Sequence, residues 1–129
     1  MQDRPDFAEL LESVRDFLAD EIAPTLTDHR LRFRTLVSIN ALGILGRELE
    51  LEPRLAHEQA AGLLELLGES GPVPDDPEAL RARVDELDAE LAARIRAGEA
   101  PDGTLEHLLR VGAGKLEVAS PAYLERYAD

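Results

Sequence analysis

The chain has no cysteine and no tryptophan, and its aromatic residues are three phenylalanines and two tyrosines. Without cysteine it can form neither disulfides nor thiolate metal ligands. The hydrophobic content of 44% therefore consists mainly of leucine and alanine, which is typical of an α-helical core. A length of 129 residues suits one domain, and we expect residues 1–129 to form a single helical domain.

Long apolar runs are also missing. The most hydrophobic stretch is interrupted by Asn40 and Arg47, so it is too short to cross a bilayer, which takes about 20 apolar residues. A net charge of −13 argues against binding to nucleic acid or to an anionic membrane surface. The N-terminus carries charged residues where a signal peptide has an apolar run, so a cytoplasmic protein is expected.

Carboxylates are absent from one segment of this acidic chain. Between His29 and Arg47 there are four arginines and no aspartate or glutamate, although 27 of the 129 residues are acidic. Arg30 and Arg34 stand one turn apart near a helix start, where they repel each other and the helix dipole disfavours them. They therefore need partners: acids of the first or fourth predicted helix, a phosphate-bearing ligand, or an acidic face of another protein.

The stretch Leu31–Leu51 organises the predicted fold. On a helical projection its apolar residues point in all directions, which indicates a helix covered on every side. We predict that it is the central helix of a bundle. Gly43 and Gly46 lie in its interior, where each costs about 1 kcal/mol relative to alanine, so we expect another helix to approach closely there.

The remaining helices follow from apolar periodicity, caps and breakers. The first should bury one clean apolar stripe, and the fifth should turn Leu105, Leu108, Leu109, Gly112 and Leu116 inward. The predicted boundaries are Pro5–Ala23, a central helix capped by Thr27 or Asp28, Pro53–Leu67 with Gly68 as its stop, Pro77–Ala97 with Asp76 as its cap and Gly98 as its stop, a fifth helix from Thr104, and a short helix from Ser120 to about Tyr127. The sequence thus predicts an all-α, single-domain bundle of about five helices plus a short C-terminal helix, with helix 2 central.

The fourth predicted helix carries a narrow apolar seam at coiled-coil spacing: Leu80, Val84, Leu87, Leu91 and Ile95. A narrow seam is typical of a helix that pairs with few neighbours. Closed twofold dimers are the commonest soluble assembly. We therefore expect a homodimer.

Catalytic and metal-binding patterns are weak. The three histidines fall on three different predicted helices, and His57-Glu58 lacks the second histidine of the zinc-protease motif. None of the four serines lies in a Gly-x-Ser-x-Gly turn. The stretch around Gly112, Gly114 and Lys115 lacks the first glycine and the Ser or Thr of a phosphate-binding loop. We predict no catalytic residue, no metal and no cofactor.

Asn40 lies in the middle of the central helix among apolar neighbours. If buried, its amide must find hydrogen-bond partners or cost about 1–3 kcal/mol. Asn40, Gly43 and Arg47 share one helix face. Two interpretations remain open: a structural polar contact that fixes helix register, or a groove for a partner or an anionic ligand. The candidate binding residues are Arg30, Arg34, Asn40 and Arg47.

Four segments of the chain carry a family resemblance: MQDRPDFAELLESVRDFL, RFRTLVSINALGILGRELEL, LAARIRAGE and KLEVASPAYL. Their order resembles a family of small bacterial helical proteins with no assigned activity, although Ser120 stands where asparagine is expected. Members of that family are encoded beside, or fused to, aminoglycoside-phosphotransferase-like kinases, often near acyl-CoA dehydrogenases. The resemblance implies a non-catalytic accessory subunit of a small-molecule kinase in acyl-CoA or hydroxy-acid breakdown.

The alternative is a stand-alone protein that binds or acts on an anionic metabolite such as an acyl-CoA, using the same candidate residues. A structural criterion separates the two hypotheses. An enclosed pocket lined by Arg30, Arg34, Asn40 and Arg47 favours the metabolite-binding protein, whereas a flat apolar patch flanked by arginine favours the interaction module.

Overall fold

The computed structural model describes residues 3–126, which form five α-helices and no β-strand. The helices are α1 (Phe7–Phe17), α2 (His29–Leu67), α3 (Pro77–Arg96), α4 (Thr104–Ala119) and α5 (Pro121–Arg126), with a π-helical turn at Leu18–Ile22 and a 3-10 turn at Ala23–Thr25. The prediction of an all-α fold with a long central second helix is confirmed. The predicted end of the last helix near Tyr127 lies outside the described residues.

Membrane insertion has no candidate segment in this fold. Among the helices of residues 3–126, none combines the length and the apolar character needed to span a bilayer.

The first helix is shorter than predicted. Asp6, not Pro5, defines its start, because the Asp6 carboxylate accepts a hydrogen bond from the backbone N–H of Glu9 at 2.9 Å. The α-helix ends at Phe17, and the chain continues through the π-helical and 3-10 turns. Asp28 caps α2 as one of the two predicted candidates, accepting from the N–H groups of Arg30 and Leu31 at 2.9 and 3.2 Å.

The predicted break at Pro53 is wrong: α2 runs without interruption for 39 residues, about 58 Å. A proline inside a helix leaves the carbonyl four residues earlier without its usual donor. Here that carbonyl belongs to Leu49, and both Leu49 and Pro53 are exposed, so water can take the place of the missing N–H. Gly68, with φ of 67°, ends α2 in the left-handed conformation as predicted.

The core lies between the C-terminal half of α2 and α3. Its buried side chains are Ala60, Leu63, Leu64, Leu67, Leu80, Val84, Leu87 and Leu91. The predicted α3 seam is therefore buried within the chain, except for the more exposed Ile95. Burying each leucine side chain contributes about 1.5–3 kcal/mol relative to leaving it in water. Because the seam is already used inside the molecule, it cannot also supply the expected dimer contact.

The opposite side of α2 packs on α4, but through a different face of α4 than predicted. His107 and Gly114 are buried, whereas Leu105, Leu108 and Leu109 are exposed. A Cβ added to Gly62 would lie 2.9 Å from Nδ1 of His107, and one added to Gly114 would lie 2.9 Å from Cδ2 of Leu55. These two glycines permit the close approach of the helices.

Gly43 and Gly46 do not have the role predicted for them. A Cβ added to Gly46 would meet no atom within 4 Å, and one added to Gly43 would lie near only the side chains of Arg47 and Arg15, at 3.4 and 3.6 Å. The glycines that sequence reasoning selected therefore lie where no helix backbone packs tightly.

The N-terminal half of α2 is covered only in part, by α1 and the turns that follow it. Six of its large apolar residues are between 48% and 68% exposed; they are Leu31, Phe33, Leu36, Val37, Leu45 and Leu49. The prediction that this segment is covered on every side is wrong for the single chain. The bundle is closed at one end of α2 and open at the other.

Candidate functional site

Three of the four predicted binding residues lie on the open end of α2. Arg30, Arg34 and Asn40 are exposed. Arg47 is half-buried, and its Nε donates a hydrogen bond to the Val118 carbonyl oxygen at 2.7 Å. That carbonyl belongs to the last turn of α4, where the helix itself supplies no donor. Arg47 therefore fastens the end of α4 to α2 and has a structural role.

The four residues do not surround a common cavity. Arg30 and Arg47 are separated by about 25 Å along the axis of α2. Two cavities lie beside the C-terminal half of α2, and neither is lined by any of the four residues. The arrangement is an exposed helix face that carries arginine.

The side chain of Asn40 is exposed, so the cost of burying an amide without hydrogen-bond partners does not arise. A buried amide that fixes helix register within the chain is therefore excluded. Any role of Asn40 in assembly has to come from contact with another molecule.

Three charged residues in the open part of α2 have no ion-pair partner inside the described chain. Arg30, Arg34 and Glu48 form no ion pair with any residue of 3–126, whereas Glu52 pairs with Arg81 at 2.7 Å. Glu48 and Glu50 are not at a helix end, since α2 continues to Leu67.

Helix α1 also exposes an apolar surface. The first helix has no buried residue, so the prediction that its stripe is buried is wrong. Four of its large apolar side chains are between 49% and 79% exposed; Phe7, Leu10, Val14 and Phe17 define what we call the α1 stripe. Together with the open part of α2, these side chains expose on the order of 1,000 Å² of apolar surface, distributed over more than one face of the two helices.

A second feature is a cavity of about 450 Å³ between α2 and α4. His107 lies in its wall with 3% of its surface exposed, and within the described part of the chain its Nε2 atom has no hydrogen-bond partner. Burial lowers the pKa of His107, and the positive charge of Arg110 lowers it further, while Asp88 opposes the shift. His107 is therefore an uncharged imidazole in the folded protein near neutral pH.

Sequence reasoning considered His107 only as a metal ligand. In residues 3–126 no three His, Cys, Asp or Glu side chains lie close enough together to hold a metal ion. The signal that could have located the cavity is the pair of helix-interior glycines, Gly62 and Gly114, because glycine in a helix interior often marks a close contact.

The chain belongs to the family described as Domain of unknown function (DUF6285), which matches residues 24–123. This match begins in the 3-10 turn, leaves out α1 and the π-helical turn, and covers all of α2 to α4 and the start of α5. No curated protein and no solved structure matches the chain.

Proposed function

We propose that this member of the DUF6285 family is a non-catalytic interaction protein that acts as an accessory subunit of an aminoglycoside-phosphotransferase-like kinase. The observation that carries the proposal is the open end of the bundle. There, large apolar side chains of α1 and α2 are about half exposed and are flanked by unpaired arginines. By the criterion stated above, this arrangement favours an interaction module.

The α1 stripe is the proposed contact surface for the kinase. One flank of the apolar stripe of this amphipathic helix is in water. When another protein covers that flank, the complex is stabilised by about 25 cal/mol for each Å² of apolar surface that is buried. Phe7 and Phe17 stand at its two ends and can serve as aromatic anchors. Acidic residues between them, such as Glu12 and Asp16, are exposed and would orient a basic partner surface.

The identity of the partner comes from the family resemblance, which places such proteins beside or within kinases of this type. The same resemblance suggests acyl-CoA or hydroxy-acid catabolism as the pathway. The proposed compartment is the cytoplasm, supported by the absence of cysteine. The chain itself would supply no group to phosphoryl transfer.

The test is to immobilise the kinase encoded beside this protein and to measure binding of the purified chain. We compare Leu10→Asp with Ala8→Asp, which introduces the same charge on the same helix at an exposed position on the other side of the helix from Leu10. Leu10→Asp is expected to weaken binding at least tenfold, about 1.4 kcal/mol, and Ala8→Asp to leave it unchanged within about twofold. Phosphorylation of hydroxyacyl-CoA candidates is assayed with each protein alone and with both together. A kinase that neither binds this chain nor responds to it contradicts the proposal.

A second candidate function rests on the His107 cavity. Its wall combines apolar residues with the cations Arg110 and Lys115, the acids Glu58 and Glu65, and the neutral imidazole. Glu58 is already paired with Arg54, so the two cations are the groups that would hold an amphipathic anion. Thermal shift with short-chain acyl-CoA and hydroxy acids tests this candidate. Stabilisation that is lost in Lys115→Gln but kept in Arg32→Gln, which removes a charge far from the cavity, would support metabolite binding. No shift with any of these compounds contradicts it.

A further inference from the structure

The exposed half of α2 carries a regular seam. Arg30, Arg34, Val37, Ala41, Ile44 and Glu48 are spaced alternately four and three residues apart. This is the spacing of residues that face a partner helix in a coiled coil. All of them are exposed except the half-buried Ile44. We call this set the α2 seam.

The α2 seam points away from α1. The half-buried residues Thr35, Ile39, Leu42 and Gly46 lie on the opposite side of the helix, and Gly43 is next to the Arg15 side chain of α1. The seam is therefore the outer face of the hairpin, and no other helix of residues 3–126 covers it.

The charges of the seam are arranged so that the seam complements itself. Its N-terminal end carries Arg30 and Arg34, and its C-terminal end carries Glu48. None of the three has an ion pair within the described chain. When two copies of the helix run antiparallel, Arg30 of each faces Glu48 of the other. A parallel pair would instead place arginine against arginine and glutamate against glutamate, which is unfavourable.

The same register matches the apolar residues. Val37 of one copy faces Ala41 of the other at the centre, and the flanking Leu31 faces Leu45. Asn40 lies beside the twofold axis, where a pair of amides can exchange hydrogen bonds and fix the register. Phe33 flanks the other edge of the seam and is 68% exposed.

The exposed area fits a dimer of moderate affinity. Leu31, Phe33, Val37 and Leu45 expose on the order of 400 Å² in each copy, and the stems of the arginines add to this. The total for two copies approaches about 1,200 Å², the lower bound of stable specific interfaces. The self-repulsion of two chains of charge −13 works in the opposite direction, so a dissociation constant in the micromolar range is expected.

From these observations we infer that the chain forms a twofold dimer in which the N-terminal halves of two α2 helices pair antiparallel along the α2 seam. The occupant of this face is a second copy of the chain, and the role of Arg30 is to pair with Glu48 across the interface. The pairing does not involve the α1 stripe, so it stands or falls separately from the proposed contact with a kinase.

The experiment is sedimentation equilibrium of the purified full chain, without a kinase, up to about 100 μM at low and high salt. Arg30→Glu and Glu48→Arg are each expected to raise the dissociation constant at least tenfold. The combined variant Arg30→Glu with Glu48→Arg restores the opposite charges and should return the constant to within about threefold of the wild type.

The matched controls are Arg32→Glu and Glu50→Arg, which change the charge equally at exposed positions outside the seam. They should leave dimerisation unchanged within about twofold. A clean monomer at the highest concentration overturns the inference, and so does a dimer that responds equally to seam and control variants. A dimer strengthened by Arg30→Glu overturns the antiparallel arrangement. Circular dichroism of every variant verifies that the helices are intact.

Discussion

His107 is the residue whose ionisation is most clearly linked to the fold. Its imidazole is packed against Gly62 of α2, with Arg110 on its own helix and Asp88 on α3 as the nearby charges that influence it. Its folded-state pKa lies below the unfolded value of 6.5 because of burial. The unfolded chain therefore binds a proton more readily than the folded chain does. The stabilising contribution is complete above the unfolded pKa and decreases as the pH falls towards the folded pKa.

This difference predicts a pH effect that can be isolated by substitution. Between about pH 7.5 and pH 5, the free energy of unfolding should decrease more in the wild type than in His107→Gln, which cannot titrate. Urea unfolding at the two pH values measures it, and comparison with the variant cancels the titration of the many surface carboxylates. Equal decreases in both proteins would show that His107 is not protonated on unfolding.

Asn40 gives a second prediction for a single residue. Because its side chain is exposed, Asn40→Leu should change the free energy of unfolding by no more than about 0.5 kcal/mol. It should nevertheless alter assembly, since an amide that specifies register is replaced by an apolar group that permits several registers. Thermal unfolding and sedimentation on the same samples measure both effects. A large loss of stability without any change in assembly would contradict the prediction.

At the scale of the helices, two glycines of α2 differ in their surroundings: one is in close contact with another helix and the other faces open space. A Cβ at position 62 would lie 2.9 Å from a ring atom of His107, whereas one at position 46 would meet no atom within 4 Å. Gly46→Ala should therefore stabilise the protein by about 0.5–1 kcal/mol through helix propensity. Gly62→Ala should destabilise it, because overpacking costs about 1–3 kcal/mol and exceeds the same gain. Denaturant unfolding of the two variants gives the comparison, and stabilisation by both would contradict the described helix packing.

Helix ends could be predicted from the sequence because they depend on local chemistry. Asp28, Gly68, Asp76 and Gly98 all have the expected cap or stop role, since a carboxylate near free N–H groups or a glycine at positive φ acts within a few residues. The continuation of α2 through Pro53 could not be predicted in this way. It depends on the exposure of the preceding turn, which only the tertiary structure determines.

The buried face of a helix was harder to predict. In α4 the leucines at positions 105, 108 and 109 suggest one face, yet His107 and Gly114 are the buried residues. The contact of α4 with α2 is made at two glycines, with Gly62 against His107 and Gly114 against Leu55, and the three leucines lie on the exposed side of α4. The same limit applies to the candidate site. Charge alone was enough to identify Arg30 and Arg34 as residues without a local partner. It was not enough to predict that they are exposed, or that Arg47 donates a hydrogen bond to the Val118 carbonyl oxygen.

At the scale of the whole molecule, the fold has a closed half and an open half. The closed half contains the core of α2 and α3, and the open half contains α1 and the start of α2. Few buried apolar contacts imply low local stability. Backbone amides of α1 should therefore exchange with deuterium faster than those of residues 60–67 in α2 by at least about tenfold when the protein is dilute. Uniform protection along the chain would contradict this division.

Hydrogen exchange in the presence of the neighbouring kinase tests the central claim most directly, because it reports both binding and its location. The chain is measured alone and with excess kinase at a concentration where the self-association state is known. The interaction account predicts slower exchange in Phe7–Phe17, with the already protected amides of residues 60–67 unchanged. Exchange in α1 that is identical with and without the kinase would contradict the account, as would protection confined to the helix turns around His107.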